Sequence, residues 1–111
     1  MDVGIDHPNV VDLVMSHPES GEVMLIVVHN DVWTGSPEEL RLLGAKLDTY
    51  ASYALDGQLV DDFPQHEGKP VRIQLDCLAE PTGAVAAALE SAKRQLAMHG
   101  LRLEVGPLAP D

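Results

Sequence analysis

Lysine and arginine are missing from the first forty residues, which still carry eight carboxylates: Asp2, Asp6, Asp12, Glu19, Glu22, Asp31, Glu38 and Glu39. Arg41 is the first basic residue; residues 41–68 hold two basic against five acidic groups, and residues 69–111 hold five of each. The net charge of −11 is therefore polar along the chain. Without clustered cations, a nucleic-acid partner is excluded, because phosphates reward Lys and Arg through counterion release. Adsorption to anionic membranes is disfavoured for the same reason. Cysteine is confined to Cys77, which rules out an internal disulfide and agrees with a reducing compartment. No apolar run approaches the roughly 20 residues that span a bilayer. The opening Met-Asp-Val-Gly-Ile-Asp has neither a basic leader nor an apolar signal stretch, so a soluble cytoplasmic protein is expected. A glycine-rich phosphate loop and a serine-nucleophile motif are also absent.

What is present suits one domain over residues 1–111, with short flexible ends near 1–6 and 107–111. Residues 9–16 read as a strand with Val11, Leu13 and Met15 on one face and Asp12 interrupting the other. His17-Pro18-Glu19-Ser20-Gly21 punctuates a hairpin into the apolar run Val23 to Val28, whose two apolar faces predict a central strand. Ser36-Pro37-Glu38-Glu39 is a capping box with proline at the first helical position. Leu40, Leu43, Leu47, Tyr50, Ala51 and Ala54 then recur at helical spacing up to Asp56, where Gly57 terminates. Gln58 to Pro64 offers one further turn. Val71, Ile73, Leu75 and Cys77 alternate with Arg72, Gln74 and Asp76 as a third strand. A helix opened at Pro81-Thr82-Gly83 carries Val85, Leu89, Ala92 and Leu96, stops at Gly100, and leads to a fourth strand at 101–105.

The order ββαβαβ predicts an α+β fold: a two-layer α/β sandwich, with a four-stranded mixed sheet and both helices on one face. The unit from 71 to 105 should be a parallel strand–helix–strand. The other sheet face would set Met24, Ile26 and Val28 beside Arg72, Gln74, Asp76, Arg102 and Glu104. Such a face suits a homodimer contact, or else cover by the N-terminal arm or C-terminal tail.

Candidate chemistry is sparse. His7, His17 and His29, with Asp6, Asp12, Asn30 and Asp31, fit no ligand spacing of known mechanical basis, so neither a metal nor another cofactor is expected. Cys77 takes the inward register of its strand, where a thiol behaves as a small apolar group rather than a nucleophile. No catalytic residue is nominated. Trp33 precedes the first helix and Tyr50 and Tyr53 lie three apart on it, so these aromatics either line a pocket with His29 or Asp31, or fill the core. Asp6, Asp12, Asp31, Asp61 and Asp62 are the candidates for an acidic interaction surface.

The stretches Asp6-His7-Pro8-Asn9-Val10-Val11-Asp12, Gly21-Glu22-Val23, Trp33, Lys46-Leu47-Asp48-Thr49-Tyr50, Asp56-Gly57-Gln58-Leu59, Phe63-Pro64 and Gly68-Lys69-Pro70-Val71-Arg72-Ile73 cover most of the chain. Through them it resembles a family of small, uncharacterised bacterial proteins, with Asp48 where that family favours Asn. The resemblance implies no activity, substrate or catalytic residue. Charge asymmetry without a catalytic constellation ranks a non-catalytic protein-interaction module first, for instance an immunity-like protein facing a basic partner. The alternatives are a small-molecule binder or modest enzyme at the Trp33, Tyr50 and Tyr53 region, and a structural subunit whose acidity serves solubility alone.

Overall fold

The computed structural model describes Ile5, His7, Pro8 and residues 10–107; the flexible ends expected near 1–6 and 107–111 fall largely outside these, as does Asp6. Period-two apolar patterning produces the strands β1 (Leu13–Ser16) and β2 (Val23–His29). Their hairpin closes through His17 N–H donating to Glu22 O at 2.8 Å and Gly21 N–H to His17 O at 3.0 Å, with Gly21 at φ 74. The turn needs that left-handed residue, which a side chain would strain. Helix α1 (Pro37–Leu55) begins as the capping box requires: Glu39 N–H donates to Ser36 Oγ at 3.1 Å. The carboxylate reaches further back than the motif demands, accepting from Thr34 N–H and Gly35 N–H. Gly57, at φ 90, ends the helix and starts the short α2 (Gln58–Asp62). A 3-10 turn, Pro64–His66, leads into β3 (Val71–Cys77), then α3 (Gly83–Ala97) and β4 (Arg102–Pro107).

The sheet runs β1-β2-β3-β4, with β1 antiparallel to β2 and the pairs β2/β3 and β3/β4 parallel. This is the expected four-stranded mixed sheet, β2 is central, and no strand lies between β3 and β4. One sheet face, with Leu25, Val27, Ile73, Leu75 and Leu103, packs against Leu43, Leu47 and Tyr50 of α1 and Val85, Leu89 and Leu96 of α3. Burying such side chains is worth about 1.5–3 kcal/mol each, and it fixes both long helices to that face.

The first strand departs from expectation. It spans four residues instead of eight, and its apolar row, Leu13 and Met15, lies on the face away from the helices at 45% and 44% exposure, while Val14 packs inward. The cause is Asp12. Its carboxylate accepts from Val28 N–H at 3.2 Å, and its own N–H donates to Tyr50 Oη at 2.7 Å, so the segment leaves the ladder there.

Candidate functional site

A lysine is buried in the apolar stripe of α1. Lys46 lies three positions after Leu43 and four before Tyr50, which turns it toward the core. Its ammonium group donates to Asp12 Oδ1 at 2.6 Å, Val10 O at 2.6 Å and His7 O at 2.9 Å, which uses all three donors. Both side chains of the pair are fully buried. Tyr50 Oη donates to Ile26 O at 2.7 Å while accepting from Asp12 N–H, and the Thr49 hydroxyl donates to Pro8 O. Desolvation, only partly offset by the hydrogen bond from Asp12 N–H, holds the Tyr50 phenol far above its ordinary value, so it stays neutral. The constellation straps the chain before β1 onto α1. A buried ammonium with every donor satisfied holds structure and has no free face for a substrate.

Asp12 is therefore removed from the acidic surface proposed from sequence, because its carboxylate sees no solvent. Asp31, Asp61 and Asp62 are exposed but stand apart. Asp31 shares a cavity with Thr34 and Glu39 at the start of α1, whereas Asp62 accepts from Tyr53 Oη at 3.0 Å, fourteen positions and roughly 20 Å further along that helix. The tyrosines and the tryptophan also point to different places. Tyr50 reaches the β1–β2 junction and Tyr53 reaches α2, its phenol pushed up to about 12 by burial and then by the Asp62 carboxylate. Trp33 stacks on His29, with ring centroids 3.8 Å apart, and its indole N–H donates to Ala79 O at 2.9 Å.

Two concavities lie at the carboxyl ends of the parallel strands. The smaller, about 250 Å³, is lined by His29, Asp31 and Glu39 among others, and buried His29 Nε2 has no hydrogen-bond partner among the described residues. The larger, about 710 Å³, runs from Cys77 to Pro107 and presents Glu80, Glu90 and Lys93. Burial, reinforced by the Asp76 charge and opposed by the nearby Trp33 indole N–H, pushes the Cys77 thiol up to about 11, so it is no ready nucleophile. Among the described residues, no group of three His, Cys, Asp or Glu side chains is placed to hold a metal, and no helix is long and apolar enough to cross a membrane.

The most extended feature is the sheet face away from the helices. Register sets Met15, Met24, Arg72 and Arg102 in one row across the strands. The next row is Leu13, Ile26, Gln74 and Glu104, followed by Val28, Asp76 and Gly106. The β1 and β2 half is apolar and the β3 and β4 half is charged. Glu22 spans the top of the charged half, 3.0 Å from Arg102 and 3.6 Å from Arg72.

Residues 3–109 match a family of unknown function, DUF6572. The chain belongs to that family. No curated protein and no solved structure matches it. DUF6572 brings no assigned activity, so any role has to come from the geometry. The match takes in both Asp12 and Lys46, which the fold joins in one buried pair.

Proposed function

We propose that the chain is a non-catalytic protein-interaction module that docks through its open sheet face. The observation that carries this reading is the exposure of Leu13 and Met15 beside half-buried Met24 and Val28, over a buried Ile26, on a face that neither long helix covers. Contiguous apolar surface of this kind, bordered by charge, marks interaction sites in soluble proteins. The border carries Arg72 and Arg102 as well as Glu22, Asp76 and Glu104, so the partner it suits is amphipathic and of mixed charge. An immunity-like contact with a uniformly basic protein would use Asp31, Asp61 and Asp62 instead, and these stand in two places, Asp31 before α1 and Asp61 and Asp62 on α2.

Binding assays with two variants separate the two surfaces. In Leu13→Asp combined with Met15→Asp, association with any partner is lost. In Asp31→Asn combined with Asp61→Asn and Asp62→Asn, it is retained. The reverse pattern would move the function to the acidic side chains. A second reading, a small-ligand site, is favoured by the unpartnered Nε2 of His29 in the 250 Å³ cavity. Trp33, stacked on that ring, reports it: fluorescence titration with small carboxylic acids and amides should shift in His29-containing protein and not in His29→Phe.

A further inference from the structure

We infer that the partner of the open sheet face is a second copy of this chain, docked face to face across a two-fold axis perpendicular to the strands. This rests on reading that face as a docking surface, and it follows from how the face maps onto itself. A two-fold parallel to the strands would lay the apolar β1 and β2 half against the charged β3 and β4 half. A two-fold perpendicular to them, through the row of Ile26 and Gln74, keeps apolar on apolar and inverts the order along each strand. Met24 then faces the partner's Val28, and Leu13 meets its own copy above Ile26, which is already buried within its chain.

The same inversion brings opposite charges together. Along β3 the row order is Arg72, Gln74, Asp76, so the cation at one end faces the anion at the other, twice over. This is the self-complementarity that an isologous contact requires. Within its own chain Arg72 has only weak partners: Nη2 donates to Met24 Sδ, the link from Nη1 to Glu22 is long at 3.6 Å, and Nε has none among the described residues. Glu104 meets its copy only at the half-exposed rim, where Arg102 of its own chain lies 3.3 Å away. Sheets packed this way sit about 10 Å apart with strand directions within about 30°, a shift that a flexible arginine absorbs. The footprint of roughly 20 Å by 20 Å buries about 800 Å² over both copies, less than the roughly 1,000 Å² that stable interfaces exceed, so self-association should be weak, reversible and concentration-dependent.

Sedimentation equilibrium of four samples tests it: the full chain, Arg72→Asp, Asp76→Arg, and the two variants mixed in equal amounts. The full chain dimerises towards near-millimolar concentration. Each variant alone associates at least about tenfold more weakly, because its reversed charge meets its like twice. Mixing restores the dimer, since every reversed side chain again faces an opposite charge. Leu13→Asp, at a position already half exposed, is the second variant and is monomeric, with circular dichroism confirming that each variant is folded. A monomeric wild type, a dimer indifferent to the charge reversals, or a mixture no tighter than its components overturns the proposal. If the wild type is monomeric but binds a different protein that the Leu13 and Met15 variant does not, docking stands and the second copy falls. If neither association occurs, both fall.

Discussion

Lys46 and Asp12 are the side chains on which the N-terminal half depends most. Removing one partner of a buried, hydrogen-bonded pair leaves an uncompensated charge, at about 3–5 kcal/mol, a large part of the 5–15 kcal/mol that holds a typical domain. Lys46→Met and Asp12→Ala should each lower the unfolding free energy obtained from urea titration by that order, and the double change should cost less than the sum. Tyr50→Phe strands Ile26 O and Asp12 N–H and should cost about 1–3 kcal/mol. Denaturant titrations that move by less than half a kcal/mol would contradict this. Cys77 has its own signature. Its folded value is raised from 9.0 to about 11, so its contribution is intact below about pH 9 and lost as pH climbs through about 11. Native alkylation near pH 8 should accordingly be many times slower than alkylation in denaturant. The sequence held a signal for the pair, since Lys46 interrupts an apolar stripe at a core position. Its partner was hidden, because Asp12 sits 34 residues away and only the fold brings the two together.

At the scale of elements, local chemistry was legible wherever the chain decides structure within a few residues. The capping box, the hairpin turn, the Gly57 stop and the alternation of β3 all appear where their patterns lie. Ser36→Ala should remove the acceptor for Glu39 N–H and cost about 1 kcal/mol. Glu39→Ala, which also strands Thr34 N–H and Gly35 N–H, should cost more, and comparing the two thermal melts checks the order. The first strand was legible only in part. Alternation marked Leu13 and Met15 as one face, but periodicity carries no information about which side the helices cover. It also could not show that Asp12 and Tyr50 Oη take over the positions where the ladder would have continued. Trp33, Tyr50 and Tyr53 looked like one region for a similar reason: closeness in sequence says nothing of direction, and their polar tips reach Ala79, Ile26 and Asp62.

Over the whole molecule, the shortage of cations in the first forty residues divides into separate causes. Glu39 serves the capping box, Glu22 faces the arginines of β3 and β4, and Asp12 is buried on Lys46. The exposed Asp31 accepts from the neighbouring Val32 N–H, and Glu38 pairs with Arg41 at the surface, where a salt bridge adds little. The expected acidic face thus gives way to a sheet surface that is apolar on one side, mixed in charge on the other, and complementary to itself. Sedimentation velocity of the wild type beside the combined Leu13→Asp and Met15→Asp variant, from micromolar to near-millimolar concentration, tests that claim most directly. The wild type should shift from monomer to dimer across the series while the folded variant stays monomeric; identical monomer sedimentation of both at every concentration would contradict it.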